Sequence, residues 1–208
     1  GGEWWSVAMS ANGQKMVATQ NASIGSNAIV VSTDGGANWA AVTAPQGLHN
    51  VALSRDGTTR VGITFAGTDN SVYVSKDLGA TWVFRLGVLP GNGSHLKAAV
   101  SDDGRTIAVS ALNGSVNVSV DGGIEWSARG VSSVWQGLAA AGNGSKIFTG
   151  DTSNGVVSVG STFLPSASVP GETGYISGAQ GTGVTLQYVG NNQWSIVNSA
   201  GTLYMPGI

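Results

Sequence analysis

The sequence contains no cysteine, which removes disulfide bonds, thiolate nucleophiles and Cys-ligated zinc from its chemistry without fixing a compartment. Charge is almost as scarce. Charged residues make up 10% of the 208 positions, against roughly a quarter in an average globular chain. Nine Lys and Arg against eleven Asp and Glu leave a formal charge of −2 with no basic cluster, so no phosphate backbone is expected as a partner. No apolar run approaches the roughly 18 residues of a membrane helix and no basic-then-apolar leader precedes the first expected strand. A soluble chain without membrane insertion is the expectation. It starts Gly-Gly-Glu without methionine, as a processed product or part of a longer polypeptide would. HExxH, P-loop and GxSxG signatures are all missing, and no cofactor and no metal is expected.

Glycine is what the sequence has in excess: 33 residues, more than twice the usual share of about 7%. Val, Thr, Ser, Tyr and Trp alternate between clusters of Gly, Asn and Asp, and long runs with helical period are absent. The fold class this predicts is all-β.

The chain repeats itself. "STDGGANW" at 32–39 returns as "SKDLGATW" at 75–82 and "SVDGGIEW" at 119–126, keeping Ser, Asp, Gly and Trp in the pattern SxDxGxxW. A second motif travels with it: "SVAMSANGQKMVA" from Ser6, "NVALSRDGTTRVG" from Asn50, "KAAVSDDGRTIAV" from Lys97 and "GLAAAGNGSKIFT" from Gly137. Each unit reads as two strands joined by an Asn-Gly or Asp-Gly hairpin at Gly13, Gly57, Gly104 or Gly144. A third strand, the SxDxGxxW turn and a fourth strand follow. Four strands in about 40 to 45 residues is the period of a β-propeller blade. SxDxGxxW resembles the Asp-box, or bacterial neuraminidase repeat, of sialidases and many unrelated propellers, over roughly residues 4–163.

The expected organisation is therefore an Asp-box β-propeller over 1–163, with blades at about 4–47, 48–94, 95–133 and 134–163. The fourth unit has lost its box: "SVGSTF" from Ser158 keeps a serine and brings Phe163 near the tryptophan position, with Gly160 where the aspartate belongs. Residues 164–208 change style, with two prolines and then short alternating strands in "GVTLQYVG", "QWSIVNSAG" and "TLYMPG". They read as a fifth blade or as a separate β-segment for oligomerisation or assembly. The ending is similar to those of phage and large-virus tail, fibre and capsid-associated proteins.

The repeated residues are expected to be structural. In a tight turn the carboxylates of Asp34, Asp77 and Asp121 and the hydroxyls of Ser32, Ser75 and Ser119 can accept turn amides. Gly36, Gly79 and Gly123 supply positive φ, and Trp39, Trp82 and Trp126 pack beneath. A catalytic or metal site repeated once per blade would converge nowhere. The resemblance implies a sialidase test, which needs three arginines, the first in an Arg-Ile-Pro context, with an Asp acid, a Tyr nucleophile and a Glu. None of Arg55, Arg60, Arg85, Arg105 and Arg129 precedes Ile-Pro, and the three glutamates are Glu3, Glu125 and Glu172. His49 and His95 precede the first strands of their units and read as structural, and Asp102 with Asp103 as a solvated turn with a weak cation site as the alternative.

Surface features remain. Trp4, Trp5 and Trp135 lie outside the boxes at the starts of first strands, where inter-blade packing competes with a ligand platform for a sugar or protein. Asn21, Asn92, Asn113, Asn117 and Asn143 each head an N-x-Ser sequon for N-glycosylation. The function this reading predicts is a non-catalytic binding or structural module on an extracellular or virion surface, as a virion, fibre or capsid-associated component. Its partners would be proteins of an assembly or surface glycans, and it could form a homo-oligomer, most simply a trimer. A carbohydrate-binding propeller is the alternative, and a sialidase-like hydrolase the third.

Overall fold

The computed structural model describes residues 3–20, 29–65, 70–87, 89, 96–152, 155–161, 167–169, 172–174, 177–178, 183–190, 193–200 and 203–204. Every regular element among them is a β-strand, and the chain divides into two compact units, Gly1–Thr162 and Phe163–Ile208.

In the first unit the alternation of β-branched residues with turn residues produces four antiparallel sheets in chain order. β1 (Trp4–Met9), β2 (Met16–Gln20), β3 (Ile29–Ser32) and β4 (Ala40–Val42) form the first as a meander. β5 (Leu48–Leu53), β6 (Arg60–Thr64), β7 (Val72–Ser75) and β8 (Val83–Leu86) form the second. β9 (Lys97–Val100), β10 (Ile107–Ser110), β11 (Gly114–Ser119) and β12 (Ser127–Ser133) form the third. The fourth has three strands among the described residues, β13 (Trp135–Ala140), β14 (Lys146–Asp151) and β15 (Val156–Ser161), where the repeat predicts four.

Pairing register corrects one reading of the sequence. Met16 pairs with Ser32, Arg60 with Ser75 and Ile107 with Ser119, so the box serine always faces the first residue pattern of the second strand. In the fourth sheet the matching residue, Ile147, pairs with Gly160. Gly160 therefore holds the serine position, and Ser158 lies two residues upstream of it. Phe163 lies outside the described residues.

The core lies between sheets. Opposed residues of antiparallel strands share a face, so each sheet has a forward face toward the next sheet and a back face toward the preceding one. Val17, Ile29 and Val31 of the first sheet meet Leu48 and Val51 of the second. Val61, Val72 and Val74 of the second meet Ile107 and Val109 of the third, with Leu89 and Leu96. Ala108, Val116 and Val118 of the third meet Trp135 and Ile147 of the fourth. Each such fully buried Val or Ile contributes about 1.5–3 kcal/mol, so the stacking of sheets is the main source of stability.

The second unit contains three strand pairs: β16 (Ala167–Val169) with β17 (Glu172–Gly174), β18 (Ser177–Gly178) with β21 (Leu203–Tyr204), and β19 (Gly183–Gly190) with β20 (Gln193–Ala200). Among the described residues no four-stranded sheet joins them.

Candidate functional site

Because β3 runs parallel to β1, the β1–β2 hairpin and the β3–β4 turn fall at the same end of each sheet. The two are bonded there: the Gly35 amide donates to the Gln14 carbonyl at 3.0 Å, and Gly122 to Arg105 at 2.8 Å. This end collects most of the charge of a charge-poor chain, while the opposite end gathers aromatic rings.

Each SxDxGxxW turn closes on itself in the same way. The serine hydroxyl donates to the aspartate, at 2.8 Å for Ser32 to Asp34 and Ser75 to Asp77 and 2.7 Å for Ser119 to Asp121. The same oxygen accepts the amide of Gly36, Gly79 or Gly123 at 2.8–2.9 Å. These glycines have φ of 88°, 90° and 92°, a conformation that side chains oppose. The aspartate reaches on to the amide four residues later, Asn38, Thr81 or Glu125. That Asn38 amide, helped by its side chain and by Ser32, holds the Asp34 carboxyl down at about 2. The Thr81 hydroxyl and amide, with Ser75, do the same for Asp77, also about 2. At Asp121 partial burial pulls upward, but the Ser119 hydroxyl and the Glu125 and Ile124 amides outweigh it and the value is lowered. Trp39 and Trp126 donate their indole N–H to the turn carbonyls of Gly36 and Gly123 at 3.1 Å. Trp82 instead packs against the core between the first and second sheets, and its indole nitrogen is buried without a partner.

The first hairpins repeat the device, a feature the sequence reading missed although S-x-[ND]-G recurs in the chain. Ser10, Ser54 and Ser101 donate to Asn12, Asp56 and Asp103 at 2.6–2.8 Å and accept the amides of Lys15, Thr59 and Thr106 at 3.0 Å. The Ser54 hydroxyl, with Thr58, holds Asp56 at about 2, and Ser101 with the Arg105 amide lowers Asp103. Asp103 is thus committed to its own hairpin, whereas Asp102 pairs with Arg55 of the neighbouring sheet at 3.4 Å. The two adjacent aspartates have separate partners, and no group of three or more metal-ligating side chains occurs among the described residues. An open cleft of about 610 Å³ lies here, lined by Ala11, Asn12, Lys15, Arg55, Asp56 and Asp102. Its charges are mixed in sign: Arg55 pairs with Asp102 across it, and Lys15 Nζ donates to the main-chain carbonyl of Asp56 at 2.8 Å.

At the opposite end Trp5, His49 and Phe65 form a cluster. Trp5 and His49 ring centroids lie 4.3 Å apart, with Phe65 5.7 Å from His49 and edge-on to Trp5 at 6.5 Å. Burial, and the positive Lys97 nearby, lower the His49 pKa, so the ring is neutral at pH 7. Gly47 makes the cluster possible: its carbonyl accepts the Phe65 amide at 2.7 Å, and at φ 75° a Cβ would lie 2.9 Å from the Phe65 carbonyl. Of the expected platform residues, Trp4 is exposed and Trp5 half-buried. Trp135 is buried between the third and fourth sheets and donates its indole N–H to the Gly114 carbonyl at 2.8 Å, so it presents no face to a ligand. Among the sequons, Asn113 and Asn143 are exposed on turns and Asn117 is half-buried within β11. Asn21, Asn92 and His95 lie outside the described residues.

Meandering four-stranded sheets that stack face to face along the chain are the parts of one architecture. The fold is a β-propeller. Solved structures agree: the GH74 enzyme of Niastella koreensis matches with a TM-score of 0.57 and 23% identity over 74% of this chain and 22% of that one. TolB of Acinetobacter baumannii matches at 0.55 with 15% identity over 91% and 50%, and YCF48 bound to D1 peptide at 0.50 with 14% over 99% and 69%. The chain thus spans about a fifth of the Niastella enzyme and half of TolB. No family model matches the sequence, and no curated protein does. At these identities the likeness is one of fold, shared by an enzyme and by proteins of other roles.

Proposed function

We propose that this propeller is a non-catalytic module that binds or builds on an external surface. The observation that carries the reading is the commitment of the turn carboxylates. Asp34, Asp56, Asp77, Asp103 and Asp121 each accept hydrogen bonds from their own turn, and the first three are held near 2. General acid catalysis needs a carboxyl that still carries its proton near neutral pH, which these do not. The charged cleft at the hairpin end, mixed in sign and open to solvent, suits a polar peptide or protein surface. One solved protein of this fold is bound to a peptide. Placement in a virion, fibre or capsid is supported by the low charge and by the viral resemblance of the ending. Incubation of the folded chain with fluorogenic sialosides and a polysaccharide panel should give no turnover, and turnover at a rate that survives repurification would overturn the reading.

The aromatic end supports a second reading, glycan binding. Trp5 and Phe65, braced by His49, offer apolar ring surface of the kind sugars stack on. Binding on a glycan array that weakens in Trp5→Ala and persists in Trp135→Phe would establish it. An empty array would remove it.

A further inference from the structure

The first strands of successive blades, β1, β5, β9 and β13, stack one on the next, and side chains of one blade answer main-chain groups of the following one. Ser6 Oγ accepts the Val51 amide at 3.1 Å, and Asn50 Oδ1 accepts the Ala98 amide at 3.0 Å. On the second strand of the first blade, Thr19 Oγ1 donates to the His49 carbonyl at 3.3 Å. These side chains occupy one place in the register of the forward faces: Ser6 pairs with Thr19, Asn50 with Ile63, and in the third blade Lys97 pairs with Ser110. The amide of the fourth blade that matches those of Val51 and Ala98 belongs to Leu138, which pairs with Thr149 as Val51 does with Gly62 and Ala98 with Val109. Turned away from its own sheet, the Leu138 amide faces the third blade as the other two face theirs.

At the junction of the third and fourth blades this pattern breaks in a way that leaves donors only. An ammonium has three N–H groups and no lone pair, so Lys97 cannot take the Leu138 amide as Ser6 and Asn50 take theirs. Ser110, in the place of Thr19, is 0% exposed, and its hydroxyl has no hydrogen-bond partner. Buried hydroxyls are almost always bonded, so an orphan that faces a neighbouring blade marks a place built for an acceptor. Lys97 is half-buried, and among the described residues its ammonium makes no ion pair. Ammonium, hydroxyl and amide thus share one gap, without the oxygen that Ser6 and Asn50 bring to the other two junctions.

We propose that this junction is an anion site, in which a small monovalent anion such as chloride accepts from Lys97 Nζ, Ser110 Oγ and the Leu138 amide. One anion does for all three what the Asn50 oxygen does for the Ala98 amide. Its bonds are charge-assisted and so stronger than the neutral ones they replace. Charge sets the valence: a single ammonium neutralises a monoanion, whereas a dianion would leave a net charge in a partly buried gap. Burial sets the size, because the Ser110 hydroxyl has no exposed surface and is within reach of an ion but not of a carboxylate carried on a polymer. Half-exposed Lys97 is the entry side. The ligand acts between blades, tying the fourth to the third, and is independent of the binding surfaces at either end.

Urea unfolding of the full chain at constant ionic strength tests this, with sodium chloride replacing the sodium salt of a bulky organic sulfonate. The wild-type midpoint should rise with chloride and then saturate, as linkage to a single site requires. Lys97→Asn puts the side chain of Asn50 at the third junction. It should keep the wild-type circular dichroism and lose the chloride response. Ser110→Ala should still respond but need about tenfold more chloride, the cost of one hydrogen bond to a charged group. Crystals grown in bromide should show an anomalous peak within hydrogen-bond distance of all three donors. Four results would each overturn the site: a wild-type midpoint indifferent to chloride, as a carboxylate from elsewhere in the chain would give; an equal response in Lys97→Asn, which is a general salt effect; a response that Ser110→Ala leaves unchanged; or a bromide peak with no response in solution, which is an adventitious ion only.

Discussion

Replacing Ser75 by Ala isolates the hydrogen bond on which the SxDxGxxW turn closes. Its hydroxyl donates to Asp77 at 2.8 Å and accepts the Gly79 amide at 2.9 Å, and Ser75 itself is 1% exposed. Alanine leaves a void of one oxygen atom, so packing changes little. Asp77 keeps Thr81 and gains water, because its carboxylate faces solvent. The Gly79 amide is different: it is buried, and it loses its acceptor. An orphaned buried amide costs about 1–3 kcal/mol, which for a chain of this size lowers Tm by about 2–12 °C. Ser119→Ala should behave alike, since the Gly123 amide is equally buried. Ser32→Ala should cost less, about 0.5–1.5 kcal/mol, because the bond from Gly36 is only partly buried and water can replace the hydroxyl. Urea unfolding followed by tryptophan fluorescence, at one fixed chain concentration, gives the three values with an unchanged m-value as the control. A Ser75→Ala variant as stable as wild type, or a Ser32→Ala variant that loses most, would refute the assignment of the hydroxyl as the closing acceptor.

Other consequences can be checked on the same melts. Gly104→Ala and Gly13→Ala place a methyl on glycines of equal φ, 70°, but the Cβ meets Thr59 Oγ1 of the preceding blade only at Gly104. Gly104→Ala should therefore lose about 1–3 kcal/mol more, the usual cost of overpacking, and equal losses would show that the blade contact is soft. Arg60 is fully buried with Nε and both Nη atoms unpartnered, at the position where the first blade has Met16, so Arg60→Met should raise the unfolding midpoint. A lower midpoint would mean that the guanidinium has an unrecognised partner. Asp34, Asp56 and Asp77 have folded values near 2 against an ordinary 3.8, so their contribution to stability is complete above about pH 4 and is lost as pH falls through 2. Acid titration of the midpoint should be flat from neutrality to about pH 4 and fall below it, with the fall reduced in the triple Asp→Asn variant; a midpoint already dropping at pH 5 would contradict the shifts.

What could be read from the sequence was local. The turns were legible because their bonds span two to four residues, so that Ser32, Asp34 and Gly36 record in their own spacing the contacts they make. Strand positions were legible for the same reason, through glycine and Asx hairpins at a fixed period. Contacts between blades left no such record. Nothing in the identity of Arg60 announces that it takes a place held by Met16 in the first blade, and Trp135 could be placed between blades only when Gly114, 21 residues earlier, was found beside its indole nitrogen. The register of β15 shows the limit best: once its aspartate is gone the box can no longer be aligned by eye, and only the pairing of Ile147 with Gly160 fixes it. That register is what places Val157 and Val159 on the forward face. Valine is favoured in strands whether or not a neighbour covers it, so the residue type alone could not place Val157 and Val159 on a face, and the pairing register was needed.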